Sequence, residues 1–384
     1  MQHPLPDLNQ IVSFRHDLHK HPELSGKEIE TAKRIETFLA QFKPDTVLTG
    51  IGGTGVIAVF NGTTEGGPTV LFRADTDALP IQETNNLKYT SSTAGVSHKC
   101  GHDGHTAILA GLAQLLSHKP LTKGRVILLF QPAEETGQGA YAVLNDERFQ
   151  GLQPDFVFAL HNLPGYPENQ VVTRAKSFAA ASTGMVVALY GKSSHAAEPE
   201  NGVNPGQAMA ELILAFNNII LEKSRFQDLT LLTVIHARLG EIAFGTNPGF
   251  ATVMATLRSY QQADLNLLKN ITAKTVKDTA EKYNLTFDIS FTEEFPATVN
   301  DDTAVTLITK AAQKLELDVQ QAVHPFKWSE DFGYFTEKYK GAMFGLGAGM
   351  HHPQLHHANY DFPDQLIPTG AALFYTIAAD IMNG

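Results

Sequence analysis

The chain has 384 residues, 43% of them hydrophobic and 18% charged, which is the balance of an ordinary globular protein. This length exceeds what one hydrophobic core usually holds and therefore predicts two domains. The formal net charge of −11 argues against nucleic acid or an anionic membrane as the main partner.

Cys100 is the only cysteine, so no internal disulfide can form and nothing calls for an oxidising compartment. The opening segment MQHPLPDLNQ lacks the basic start and apolar run of a signal peptide. No stretch approaches the roughly 20 consecutive apolar residues of a membrane span. We expect a cytoplasmic protein that binds neither membrane nor nucleic acid.

The first predicted elements are short apolar runs that end at polar clusters, as buried strands do. They cover residues 70–72, 126–130, 156–160 and 343–346. Between the first two, residues 104–118 carry apolar side chains at helical spacing. The order strand, helix, strand predicts an α/β domain with a mostly parallel sheet.

The middle of the chain changes character. Its predicted elements are a strand at 185–190, a helix at 204–221, strands at 229–238 and 251–259, a helix at 263–283 and a strand at 285–291. The order β-α-β-β-α-β is that of a ferredoxin-like α+β domain. We therefore expect residues 182–294 to form a domain inserted into an α/β domain made of residues 1–181 and 295–384.

Polar side chains follow the predicted core strands. Open parallel sheets bind ligands at the carboxyl ends of their strands, so these side chains are predicted to converge on one edge. Taken singly, paired glutamates favour a surface turn and a lone histidine favours a structural role. The residues concerned are Asp75, Asp77, Glu134, Glu135, His161 and the run HHPQLHH at 351–357.

The segment HKCGHDGH at residues 98–105 places Cys100 beside His102. Thiolate and imidazole are strong ligands for borderline metals such as zinc. The alternative for a free cysteine is a small buried hydrophobic residue. The neighbouring histidines favour the metal site.

Five segments together resemble the di-metal amidohydrolase family of aminoacylases and metallo-carboxypeptidases: HKCGHDGHTA, FRADTDALP, FQPAEETGQGA, HNLPG and LHHANYD. The most similar branch holds bacterial N-acyl-amino-acid amidohydrolases, hippurate hydrolases and plant auxin-conjugate hydrolases. The opening RHDLHKHPELSGKE is similar to that branch's N-terminal signature. The segments lie in family order between about residues 15 and 362, so the resemblance covers nearly the whole chain.

The resemblance implies a catalytic domain with two divalent metal ions, zinc, manganese, cobalt or nickel, and a lid or dimerisation domain at residues 182–294. It implies a water bridging the metals as the nucleophile, with Glu134 as the general base and acid. The implied ligands are Cys100, as the bridging ligand, His102, Glu135, His161 and His356.

The resemblance also implies roles outside the metal ligands. His195, in GKSSHAAEP, matches the lid histidine that acts from a partner subunit, which implies a homodimer; the alternative is an exposed loop histidine. Asp77 and Asp103 would orient ligand imidazoles. Arg258 and Asn247 would bind substrate, since a guanidinium suits a carboxylate; a surface arginine is the alternative for Arg258. No role is assigned to Asp75, His105 or Glu330.

The predicted function is hydrolysis of the amide bond of N-acyl-L-amino acids, with acetyl, benzoyl or similar acyl groups, to a carboxylic acid and a free amino acid. One alternative is a dipeptidase or carboxypeptidase of the same family. Another is a catalytically silent protein that binds metal or amino-acid conjugates. Departures from the family pattern at Asn204, in GTNPGFATV and in DFPDQ leave the acyl and amino-acid preferences open.

Overall fold

A computed structural model describes residues 6–383, which form ten α-helices and sixteen strands. The helices are α1 (Leu8–Lys20), α2 (Ile29–Leu39), α3 (His102–His118), α4 (Gly139–Asn145), α5 (Glu147–Gln150), α6 (Gly206–Ile219), α7 (Gln262–Lys282), α8 (Asp302–Lys314), α9 (Gly333–Lys338) and α10 (Leu366–Asn383). The strands are β1 (Thr46–Ile51), β2 (Gly55–Asn61), β3 (Thr69–Asp75), β4 (Arg125–Gln131), β5 (Phe156–Pro164), β6 (Val171–Thr173), β7 (Lys176–Ala179), β8 (Ala181–Tyr190), β9 (Ser194–His195), β10 (Thr230–Leu239), β11 (Thr246–Asn247), β12 (Phe250–Ser259), β13 (Thr286–Phe295), β14 (Thr298–Asn300), β15 (Val319–Gln321) and β16 (Lys340–Gly349).

These elements form two compact units. Unit 1 contains residues 6–178, 298–325 and 330–383, and unit 2 contains residues 179–297 and 326–329. The expected fold class is confirmed, because an α/β unit is interrupted in sequence by a smaller α+β unit. Within residues 6–383, no helix combines the length and the apolar character needed to cross a membrane.

The sheet of unit 1 has eight strands in the order β1-β2-β4-β3-β5-β16-β6-β15. Its four central strands, β4, β3, β5 and β16, run parallel to one another and coincide with the four predicted core strands. They are buried along nearly their whole length, as strands covered on both faces are. Their carboxyl ends therefore lie side by side at one edge of the sheet.

Helix α3 connects β3 to β4 and is buried from His102 to Leu116. A helix that is buried on all sides in this way lies inside the core. It packs closely on the C-terminal part of the chain, where a Cβ atom on Gly104 would lie 2.2 Å from the ring of Phe362. The first turn of α3 is thereby fixed against the loop that follows β16.

Unit 2 is a four-stranded antiparallel sheet in the order β10-β12-β8-β13. Together with α6 and α7 this is the predicted ferredoxin-like order. Along β8, buried side chains such as Met185, Val187 and Leu189 alternate with half-buried ones, so one face of the sheet packs on the helices.

A small ribbon in unit 2 has no counterpart among the predicted elements. Strand β9 pairs antiparallel with β11, placing His195 opposite Thr246 and Ser194 opposite Asn247. Strands of two residues carry no periodic pattern, so sequence periodicity could not reveal them.

Candidate metal centre

Among residues 6–383, the carboxyl-terminal edge of the unit 1 sheet gathers five overlapping groups of side chains able to hold a metal ion, and two of these groups share Cys100. The ligand atoms of Cys100, His102 and His161 lie within 4.8 Å of one another, and so do those of Cys100, Glu135 and His356. Cys100 belongs to both groups. These two groups contain the five side chains predicted as ligands, and the other three groups add Asp75, His105, Glu134 and Glu330.

His102 is the first residue of α3, directly after Gly101, whose positive φ of 93° suits a glycine. Its Nδ1 lies 3.0 Å from the carbonyl oxygen of Asp77 and 3.2 Å from that residue's Oδ1. The proton therefore sits on Nδ1, and the buried Nε2 is turned into the site. Asp77 orients the His102 ring in the manner expected for a ligand imidazole.

His161 lies within β5 and is buried. Its Nδ1 donates to the carbonyl oxygen of Asn162 at 2.9 Å, and its Nε2 lies 3.5 Å from the sulfur of Cys100. The sulfur and the imidazole nitrogen thus face a common point. Both side chains are held by buried backbone.

A sharp turn after β4 presents Glu134 and Glu135. Ala133 has a φ of 52°, which is uncommon for a residue other than glycine, and its amide donates to Glu28 at 2.8 Å. The amide of Glu135 donates to Oδ2 of Asp77 at 3.0 Å. The turn aims both carboxylates at His102, whose Nε2 lies 3.8 Å from each.

His356 comes from the loop after β16 and, unlike the other four side chains, is about half exposed. Its Nε2 lies 3.6 Å from Oε1 of Glu135. Its φ of 65° is again in the left-handed region. His98 and His357 belong to neither ligand group among the described residues.

Acidic groups crowd the site. Burial, followed by the carboxylates of Glu330 and Glu135, raises the pKa of Glu134 well above its usual range. Burial likewise raises the pKa of Glu135 to about 7 and that of the Cys100 thiol well above its usual range. Burial opposes protonation of His102, but Asp75 and Asp77 outweigh it and raise the pKa to about 10. Such an excess of buried acid favours cations.

Arg73 is a fully buried cation behind the site that the sequence analysis did not identify. Its guanidinium donates to Asp75 at 2.6 Å, and lies 2.7 Å from Glu330 and from Asp331. Asp75 in turn lies 2.6 Å from Nδ1 of His105. Asp75 and Glu330 are thereby tied to a fixed organic cation. The signal in the sequence was an arginine inside an otherwise apolar strand.

Asp103 differs from the expectation that it orients a ligand imidazole. Its Oδ2 accepts from Arg15 Nη1 and lies 2.9 Å from Nδ1 of His19, both on α1. One position along a helix turns a side chain by about 100°, so Asp103 faces away from His102. It anchors the start of α3 to α1. The network continues through Glu83, which lies 3.0 Å from Nε2 of His19.

The lid residue His195 lies on the small ribbon of unit 2 and is exposed. Its Nδ1 accepts a hydrogen bond from the amide of Ala197 at 3.0 Å. In the neutral ring the proton therefore resides on Nε2, which makes that atom a donor.

Asn247 and Arg258 also lie in unit 2. Nδ2 of Asn247 donates to Oγ of Ser194 at 2.9 Å and to the carbonyl oxygen of Pro199 at 3.4 Å, and Oδ1 accepts from Asn204 at 2.7 Å. The guanidinium of Arg258 donates to Ser329 but forms no ion pair with a carboxylate of residues 6–383, and burial lowers its pKa.

An α/β sheet whose carboxyl edge carries two ligand groups with a shared thiol, beside a buried carboxylate, defines a metal-dependent amidohydrolase. The chain belongs to peptidase family M20/M25/M40, whose family model matches residues 71–380. The resemblance seen in the sequence is thereby confirmed.

Individual relatives agree with this assignment. The chain is 32% identical over 383 residues to an N-acetyl-L-cysteine deacetylase of Bacillus subtilis, an alignment that covers 97% of this chain and 88% of the relative. It is similar to the crystal structure of a dinuclear metal binding peptidase of the M20 family from Bacillus subtilis, with 27% identity, a TM-score of 0.83 and 98% of each chain covered. An aminobenzoyl-glutamate utilization protein from Klebsiella pneumoniae shares the fold at 19% identity, with a TM-score of 0.73 and 97% of each chain covered.

Proposed function

We propose that this protein hydrolyses the amide bond of N-acyl-L-amino acids, releasing a carboxylic acid and a free amino acid. The observation that carries the proposal is the pair of ligand groups that share Cys100, with the carboxylate of Glu134 beside them. The Bacillus subtilis relative named N-acetyl-L-cysteine deacetylase supports N-acetylated amino acids as the substrate class.

We propose that the site holds two divalent cations, zinc, manganese, cobalt or nickel. Cys100 would bridge them, His102 and His161 would complete one set of ligands, and Glu135 and His356 would complete the other. Within the described residues, Nε2 of His102 and Oε1 of Glu135 are buried without a hydrogen-bond partner. Buried polar atoms normally have a partner, and a bound cation would supply one to each of these atoms. The mixed sulfur, nitrogen and oxygen set suits these metals. The dinuclear relative supports the number two.

When bound, the cations would supply Lewis-acid activation of the water and of the substrate carbonyl. Glu134 does the proton transfer in this proposal. Its carboxylate takes a proton from the water as the water oxygen adds to the amide carbon. It returns that proton to the nitrogen as the carbon–nitrogen bond breaks. A carboxylate whose pKa is raised by burial and by Glu330 holds a proton well enough for both steps.

We propose that residues 182–294 form a lid and dimerisation domain. His195 would act at the catalytic site of the partner subunit, where its Nε2–H can donate to the carbonyl oxygen as negative charge develops. Arg258, which lacks a carboxylate partner in the described chain, would bind the substrate carboxylate. Asn247 would serve substrate binding through the His195 turn, since its amide is bonded to both ends of that turn.

A homodimer is part of this proposal. Strand β10 is an edge strand, and its residues from Ile235 to Leu239 are exposed on both faces. Beyond it, Ile242 and Phe244 are fully exposed. An unpaired edge strand next to exposed apolar side chains favours association with a second copy of the chain. A buried free thiol as a ligand suits a reducing compartment, so we propose a cytoplasmic location.

The test is a hydrolysis screen of purified, metal-loaded protein with N-acetyl, N-benzoyl and longer N-acyl amino acids and with dipeptides. We expect cleavage of at least one N-acyl class. Glu134→Gln should keep metal content, measured by elemental analysis, while kcat falls by orders of magnitude. Glu147→Gln, an exposed glutamate of α5, is the control and should change neither.

Each other outcome of this screen selects an alternative. Turnover of dipeptides without any N-acyl substrate would make the protein a dipeptidase or carboxypeptidase. Binding of metal and conjugates without turnover would make it a binding protein. Unchanged turnover in Glu134→Gln would remove Glu134 as the base.

A further inference from the structure

The two ligand groups that share Cys100 differ in how their histidines are held. His102 and His161 are buried, and each is oriented through its Nδ1, by Asp77 and by the carbonyl oxygen of Asn162. The ring of His356 is about half exposed and makes no hydrogen bond to another described residue. The position of His356 therefore depends on its backbone.

The backbone of His356 is tied to the residue before Cys100. Its amide donates to the carbonyl oxygen of Lys99 at 2.7 Å. The bond holds His356 at a φ of 65°, a conformation that side chains other than glycine adopt only when the surroundings favour it. One hydrogen bond thus sets the spacing between two ligands of the same group.

The side chain of Lys99 holds the other end of the same segment. Its ammonium is fully buried and donates to the carbonyl oxygen of Tyr360 at 2.7 Å and to Oε1 of Glu83 at 2.6 Å. Glu83 is itself fixed, because it accepts from the amide of Ser91 at 2.7 Å and lies 3.0 Å from His19. Lys99 therefore clamps residues 356–360 with its carbonyl oxygen at one end and its ammonium at the other.

A buried ammonium is costly to desolvate, so its place needs a counterbalancing set of partners. Here the ammonium is stabilised by the carbonyl oxygen of Tyr360, in the segment that begins at His356, and by the carboxylate of Glu83. The Nδ1 atoms of His102 and His161 are instead held by the carbonyl oxygens of Asp77 and Asn162, which are not part of this clamp.

We propose that Lys99 is a positioning residue for one of the two cations, the one held by Cys100, Glu135 and His356, and not for the one held by Cys100, His102 and His161. This inference rests on the two-cation site of the proposed function. Groups that fix a ligand from behind typically change metal affinity by about 10–100-fold when they are removed. Loss of the clamp should therefore weaken one site and spare the other.

The experiment is a metal titration of the full-length protein. Metal-free wild type and Lys99→Met are equilibrated with zinc at a series of buffered free concentrations, and the bound metal is counted by elemental analysis. We expect wild type to bind two equivalents. Lys99→Met should bind the first with unchanged affinity and the second about 10–100-fold more weakly. Cobalt, followed by its thiolate absorption bands, gives a second readout that needs no turnover.

Two further variants define the comparison. Lys88→Met, an exposed lysine of the same unit, should bind both equivalents as wild type does. His356→Ala should weaken the same single site, and adding Lys99→Met to it should weaken that site no further. If Lys99→Met does not fold, Lys99→Gln, which keeps a donor for the carbonyl oxygen of Tyr360, takes its place in the titration.

The outcomes separate the two proposals. Wild type that binds fewer than two equivalents contradicts the proposed two-cation site. Wild type with two equivalents and a Lys99 variant with both affinities unchanged overturns the role of Lys99. Equal weakening of both sites overturns it as well, because the clamp would then support the whole centre.

Discussion

His19 offers a test of the buried network that anchors the metal centre. Burial opposes its protonation, but hydrogen bonds with Asp103 and Glu83 outweigh burial and raise its pKa from 6.5 to about 9. Because the folded pKa lies above the unfolded one, the stabilisation is complete below about pH 6.5. It is lost as the pH rises through about 9.

The size of this effect follows from the shift. At about 1.36 kcal/mol per pKa unit, a rise from 6.5 to about 9 corresponds to about 3 kcal/mol of stability. His19→Gln keeps a polar side chain but cannot carry the charge. We expect wild type to exceed His19→Gln in the free energy of unfolding by about 3 kcal/mol more at pH 6 than at pH 10.

The assay is urea-dependent hydrogen exchange at both pH values, followed in peptides from α1 and α3 so that it reports the opening of unit 1. His21→Gln, just beyond the end of α1, is the matched control and should follow wild type at both pH values. A difference between wild type and His19→Gln that is the same at pH 6 and pH 10 would refute a cationic His19.

Other predictions concern unit 2 and the substrate. Arg258→Met should raise KM for N-acyl amino acids about 10–100-fold with little change in kcat, because a hydrogen bond to a charged group contributes about 1.5–3 kcal/mol; steady-state kinetics decide, and a fall in kcat alone would contradict the role. Asn247→Ala should lower kcat in wild type but have no further effect in His195→Ala, and additive losses in this double-mutant cycle would show that Asn247 acts separately. Ile242→Ser with Phe244→Ser should convert a dimer into a monomer in light scattering, whereas Val323→Ser, an exposed apolar residue of unit 1, should not.

The four central strands and α3 of unit 1, and the main strands and helices of unit 2, were predictable because their signals are local. Continuous apolar runs mark β3, β4, β5 and β16, and helical spacing marks α3. The convergence of the ligands was also predictable, because parallel strands bring their carboxyl ends to one edge.

The contacts of Asp103 with α1 could not be read from the sequence, for a geometric reason. Sequence neighbours on a helix point in different directions, and Asp103 faces Arg15 and His19 on α1. The roles of Arg73 and Lys99 could not be predicted from the sequence, because their partners are distant along the chain. The acceptors of Arg73 include Asp331, 258 residues away, and those of Lys99 include Tyr360, 261 residues away.

The sequence by itself therefore determined the kind of protein, its fold class and its family, and its short motifs supplied the proposed set of ligand residues. The tertiary structure alone decided how those ligands are held. It placed buried charges such as Arg73 and Lys99 against partners that no local sequence pattern predicts. The physical reason is that a buried charge is stabilised by whichever opposite groups the fold brings within hydrogen-bond distance, and that distance is independent of separation along the chain.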